Sequence, residues 1–228
     1  KSLVFCNNEP VLKTNDMNST LFTLAVIQII ISIVLAVIIL FVSQVVKESN
    51  LEKNKVIGVA KFLRINHDRR SKYSVEYQFF ANGKLIESSD PLGASWPNHV
   101  REGEPVIRAF YPVEFDRENP KNSRIMLTER PLKLKQILND HATIYGNVVL
   151  ASPVSDNYVD LRIAYKYQGE VFNFRTRLHK DNLPCGNVES CKESQIKLLV
   201  SKHYPEVNDL YFKSYDRKNL LEQYKLNK

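Results

Sequence analysis

The spacing of apolar and polar residues changes character twice along this chain. From Leu21 to Val46 it reads LFTLAVIQIIISIVLAVIILFVSQVV, 26 residues without a charge. A bilayer core takes about 20 apolar residues in helical form, and core helices of soluble proteins rarely run so long without polar interruption. The stretch predicts a transmembrane helix over residues 21–46, after a tail of residues 1–20. It is too long for a cleaved signal peptide, and no Ala-x-Ala site follows it. Gln28 and Ser32 interrupt the run. In lipid such groups gain by hydrogen-bonding to a neighbouring helix, which marks both as candidate helix–helix packing positions.

After a polar linker or helical extension, residues 47–55, the period becomes two. Val56–Leu63 is a β-branched apolar run. In Tyr73–Phe80, residues Tyr73, Val75, Tyr77 and Phe79 alternate with Ser74, Glu76 and Gln78. That alternation predicts a half-buried strand, and Asn82-Gly83 after it is the strongest short hairpin signal. Lys84–Ser88 is the returning strand, Asp90–Gly103 a Pro- and Gly-containing loop with the sole tryptophan, Trp96, and Val106–Tyr111 the next strand, closed by Pro112.

From Ile144 the pattern recurs: a glycine in an apolar run (Gly146), an alternating strand (Val159–Tyr167), a turn (Gln168-Gly169), a returning strand (Glu170–Thr176) and a last strand ending in Tyr204-Pro205. Gly58 to Tyr77 and Gly146 to Tyr165 are both 19 residues, an offset of 88. Matching Tyr111-Pro112 to Tyr204-Pro205 moves the offset to 93, with the extra length assigned to the cysteine-containing loop, since loops absorb insertions at small cost. These readings predict a mainly β chain: one N-terminal transmembrane helix, then two tandem small antiparallel β-sandwich or barrel domains, 56–130 and 144–213. A helical connector at 131–143 (Leu132, Leu134, Ile137, Leu138) joins them, and a short helix or tail follows at 214–228 (Leu220, Leu221, Tyr224).

The net charge of +7 concentrates just past the apolar run. Lys47, Lys53 and Lys55 are candidate contacts to anionic headgroups, and the cluster by itself favours a cytosolic C-terminal part. The cysteines pull the other way. Cys185 and Cys191 flank a short turn-rich loop, a candidate disulfide that points to an oxidising compartment, whereas no second Cys/His pair has zinc-ligand spacing. On that ground the β-domains are placed on the extracytoplasmic side.

The order VIGVAKF, YSVEYQFFANGK, GEPVIRAFYP and ENPKNSRI resembles a bacterial family of membrane-attached β-domains of unknown function. Tyr73, Val75, Tyr77, Phe79, Gly83, Gly103, Val106, Tyr111, Pro112, Asn119, Pro120 and Ser123 carry the resemblance, well over residues 56–125 and faintly over 144–205. It departs from the family's spacing where VEFDRE separates the two proline motifs, and the second copy lacks the Asn-Pro tail. The resemblance implies a small membrane-tethered β-sandwich or barrel, often outside the bacterial membrane, and no activity.

No catalytic set stands out. His67, His99, His141, His179 and His203 lie in separate segments without metal-ligand spacing, and there is no nucleophile elbow, phosphate-cradling loop or dinucleotide fingerprint. Most of the eleven tyrosines and eleven phenylalanines fit the small cores of β-domains. The expected function is protein–protein binding by a membrane accessory or scaffolding subunit, without catalysis, cofactor, metal, nucleic acid or small-molecule substrate. Its partners are the lipid bilayer and other membrane-protein subunits. A membrane-anchored ligand sensor and an immunity-type protein that neutralises a toxin are the alternatives.

Overall fold

A computed structural model describes residues 14–67, 73–92, 105–127 and 130–218. Trp96 and His99, the fragment Leu220 to Tyr224 and the tail 1–13 lie outside the described residues. The chain divides into a helical unit ending at Ser49 and a β unit beginning at Asn50.

The helix α1 runs unbroken over Thr14–Lys53. No glycine or proline occurs in this span, so nothing stops the helix at Val46, and the expected linker is a helical extension. From Leu24 onward α1 is long and apolar enough to cross a membrane.

The β unit holds two antiparallel sheets. The first comprises β1 (Lys55–His67), β2 (Tyr73–Ala81), β3 (Lys84–Leu92), β4 (Phe110–Asp116) and β5 (Ser123–Ile125), in the order β3-β2-β1-β4-β5. A single helical turn, α2 (Leu134–Ile137), leads to the second. It comprises β6 (His141–Pro153), β7 (Tyr158–Tyr167), β8 (Glu170–His179) and β9 (Gln195–Ser201), in the order β8-β7-β6-β9, with the short helix α3 (Val188–Cys191) before β9.

The duplication is present, in a different register from the one the sequence predicts. Asn82-Gly83 and Gln168-Gly169 are both turns with positive φ at both residues, 86 positions apart. The central strands β1 and β6 bulge at Phe62/Arg64 and at Val148/Leu150, again 86 apart. Leu51 and Ile137, 86 apart, are buried ahead of these strands. Gly146 therefore matches Ala60, and Tyr165 matches Phe79. Later the offset is 85. The Asp116 N–H donates to Asn122 and the Ser201 N–H to Val207, each at 2.9 Å, and Phe115 opposite Ser123 recurs as Val200 opposite Asn208. Tyr204-Pro205 is thus the counterpart of Asn119-Pro120, in the turn after the strand: the tail that the second copy lacks in sequence is kept in backbone. The cysteine loop adds no length.

Two local expectations give way. The strand predicted at Val106–Tyr111 starts at Phe110. Residues 106–109 instead make a turn, with Arg108 at φ 65° and Phe62 bonded to both Arg108 and Ala109 where β1 bulges. Pro112 lies within β4. Its carbonyl accepts from the Met126 N–H at 2.8 Å, so the donor it lacks faces the end of the three-residue β5 and no bond to β1 is lost. Asp90, expected in a loop, lies in β3 and is buried.

The first sheet curls until its edges meet. Ser123 Oγ donates to Ser88 Oγ at 2.9 Å, and the Ile125 N–H donates to Asp90 Oδ2 at 2.8 Å. Its inner face, with Phe62, Val75, Tyr77, Phe79, Tyr111 and Val113, forms one core. The opposite face packs on the second half. Val59 and Phe110 belong to the larger core with Tyr204, Tyr211 and Phe212.

Candidate functional site

Three places gather chemistry. The first is on α1, where Ala25, Gln28, Ile29, Ser32, Ile33 and Ala36 line a shallow groove along one face. These positions recur every three or four residues, so they share a face of any straight helix. The Ser32 hydroxyl donates back to the Gln28 backbone carbonyl at 2.9 Å, and the Gln28 side chain is exposed, with no partner among the described residues. Both residues singled out in the apolar run thus stand on one stripe, flanked by small alanines.

The second is the seam between the halves. Tyr204 is fully buried there. Its hydroxyl receives the Gln78 amide at 2.6 Å, and its ring meets Phe80 and Phe110 edge-on, both at 5.2 Å. Burial pushes the Tyr204 phenol far above its ordinary value, so it remains neutral. Lys61, on the same face as Val59, is held below the usual lysine range by burial, with Glu206, Arg217 and Arg108 acting on it electrostatically. A cleft of about 270 Å³ opens beside the seam, walled by the two hairpin turns (Asn82, Gln168), Phe172, Lys202 and Pro205.

The third is the cysteine loop. Cys185 and Cys191 are joined, with Cα atoms 5.0 Å apart, and Cys191 is wholly buried. The loop is ordered by Asn187, whose side chain caps α3 by accepting from the Ser190 N–H at 2.8 Å.

The basic residues after the apolar run separate. Lys47 and Lys53 are exposed on α1. Lys55 opens β1 and lies 3.1 Å from Glu52 and 3.5 Å from Glu114, within a network that Arg124 completes at 2.6 Å from Glu114. Lys55 therefore faces carboxylates of its own chain: the Glu52 contact is local in sequence, and the Glu114 contact comes from the β1–β4 register.

Two histidines meet carboxylates: His203 is 3.8 Å from Asp140, which Lys202 holds at 2.7 Å, and His179 is 3.3 Å from Asp181. Asp140 lies on the surface, where its pairing with Lys202 holds it below the ordinary carboxylate range, and that suits a solvated ion-pair cluster. Among the described residues, no group of three or more His, Cys, Asp or Glu is placed to hold a metal ion. The site that sequence reasoning missed is the Asp90 network. There Tyr77 contacts Ser123 at 3.1 Å, Ser123 donates to Ser88, and Asp90 accepts from Ile125. Only the curling of the sheet brings these residues of β2, β3 and β5 together.

No protein-family model and no curated protein matches the chain.

Proposed function

We propose that this protein is a non-catalytic, single-pass membrane subunit that acts by binding other proteins in a larger membrane assembly. The observation that carries this reading is the stripe on α1. It is a shallow groove in which the small side chains of Ala25, Ser32 and Ala36 stand beside Ile29, Ile33 and the exposed Gln28 amide, and it runs along a helix apolar enough to span a bilayer. Small residues let helix backbones approach closely, and a Gln side chain in lipid finds its hydrogen bond on a partner helix, a contact of about 1 kcal/mol. The β unit, on this reading, lies on the extracytoplasmic side. The Cys185–Cys191 bond supports that placement, because such bonds persist in oxidising compartments; the charge flanking the helix argues the reverse.

Replacing Gln28 and Ser32 together by Leu tests the association. Cross-linking in intact membranes is expected to lose the adduct formed by the wild-type chain. Equal cross-linking of both proteins would remove the helix stripe from the account. Sidedness is read by labelling Cys185 and Cys191 on sealed cells with impermeant reductant and maleimide: label from outside is expected, and protection contradicts the placement.

A further inference from the structure

The two halves are copies of one unit, so their sheets have matching faces. In the first half, the face carrying Val59, Lys61, Gln78, Phe80 and Phe110 is covered by the second half through Tyr204, Tyr211 and Phe212. Shifted by 86 residues, or 85 on the last strand, that face becomes the one carrying Tyr145, Asn147, Ala164, Lys166 and Gln195. Described residues reach it at its β7–β8 end, where the Tyr215 ring lies 4.7 Å from that of Tyr158 and Asp216 is 3.9 Å from Arg175, and its β6–β9 side is exposed. Tyr145 is 68% exposed, Val149 61% and Val171 65%.

The chemistry of this open face is one-sided. Arg162 stands directly opposite Arg175 in the β7–β8 ladder, and Lys197 opposite Tyr145 in the β6–β9 ladder. Like charges directly opposite one another destabilise a sheet. Asp160 takes both Arg175, at 2.6 Å, and Arg177, at 2.8 Å. Arg162, Lys166 and Lys197 have no carboxylate within ion-pair distance among the described residues. Three free cations interleaved with an exposed aromatic and two exposed valines make a surface whose own repulsion an acidic partner relieves.

We infer that the solvent face of the second sheet docks an acidic protein surface. This rests on the reading of the chain as a binding subunit, and names the chemistry of its partner. A protein is favoured over lipid or nucleic acid because the matching face, in the same fold unit of the same chain, already docks protein through aromatic side chains. A second copy is disfavoured. Its Tyr204, Tyr211 and Phe212 are engaged by its own first sheet, and a basic face repels a chain of net charge +7.

The test uses the full chain in neutral phosphatidylcholine nanodiscs and a fluorescent glutamate–tyrosine copolymer as probe. Reversing Arg162, Lys166 and Lys197 together to Glu is expected to weaken binding at least about tenfold, and Tyr145→Ser to weaken it several-fold. Reversing three lysines away from this face (Lys84, Lys121 and Lys135) is expected to leave it within about twofold, with thermal unfolding unchanged in this control and not lowered in the variant carrying Arg162→Glu, which relieves the repulsion with Arg175. Equal losses in both triple variants would reduce the effect to net charge and overturn the inference. Tighter binding of oligodeoxythymidylate through the same three residues would reassign the face to nucleic acid. Protection of Lys166 and Lys197 from amine-reactive reagent in phosphatidylglycerol nanodiscs, without copolymer, would reassign it to lipid. Neither failure touches the Gln28 and Ser32 experiment, which reports on the helix alone.

Discussion

Asp90 is the residue whose surroundings differ most from what its neighbours in sequence imply. Within the run SSDPLG it reads as a loop residue. In the fold it lies inside the curled sheet and joins edge strand to edge strand through the Ile125 N–H. Burial, outweighing that hydrogen bond, raises its carboxyl from 3.8 to about 6. The folded state therefore binds a proton between about pH 4 and 6 that the unfolded chain has released. This contribution to stability is complete below the unfolded value and is lost as the pH rises through the folded one, on the order of 3 kcal/mol. Asp90→Asn keeps an oxygen for the Ile125 N–H and removes the titration. Its stability is expected to differ from wild type by a constant above about pH 7 and to lose the slope between pH 4 and 6, as followed by denaturant unfolding. Gly146 is the second instructive residue. A Cβ there would come within 2.7 Å of Ile163 Cγ2 and 2.9 Å of Leu198 Cδ1, whereas its counterpart in the first half is an alanine, Ala60, fully buried. Gly146→Ala is expected to cost about 1–3 kcal/mol by overpacking, measurable as a lower midpoint in chemical denaturation.

At the level of elements, the sequence made some features legible because they are local. The two-residue turns need positive φ, which Asn-Gly and Gln-Gly supply, and the long apolar run fixes α1. Register was not legible, for a physical reason. Side chains alternate with period two, so shifting a strand match from 86 to 88 leaves every residue on the same face, and the Gly58–Tyr77 and Gly146–Tyr165 coincidence favours the wrong shift without violating the alternation. The paired bulges at Leu63 and Val149 settle it, and bulges leave no mark in an apolar pattern. The charge at Lys47 left a linker and a helical extension both open, and the helix continues because charged residues extend a helix readily once it leaves lipid. The cysteine loop was legible from its spacing and is a small cross-linked element, with partners six positions apart. On loop length alone, the Cys185→Ser/Cys191→Ser double variant is expected to lose about 2 kcal/mol, and thermal unfolding with and without reductant would give equal midpoints only in the variant.

At the scale of the whole molecule, the two halves share a seam and so stand or fall together. Val59, Phe80 and Phe110 of the first half have their apolar partners in the second, and Tyr204 is fastened by Gln78 across it. Tyr204→Ala is expected to cost about 3–5 kcal/mol and Tyr204→Phe about 1 kcal/mol. Both halves should melt in one calorimetric transition, and two separated transitions would show independent domains. Legibility also ended at this scale. Tandem pattern identifies copies, but it cannot say which face of one copy is covered by the other. That decides why Phe80 and Phe110 are apolar where the second sheet has Lys166 and Gln195.

As one subunit of an assembly, the chain should keep its partner through gentle extraction. Native mass spectrometry of the protein, extracted from its own membranes in mild detergent, tests that most directly. A complex with a second protein in fixed ratio, dissociated by the Gln28→Leu/Ser32→Leu change, is the predicted result. A lone chain at the mass of the monomer, under conditions that preserve other membrane complexes from the same extract, would contradict it.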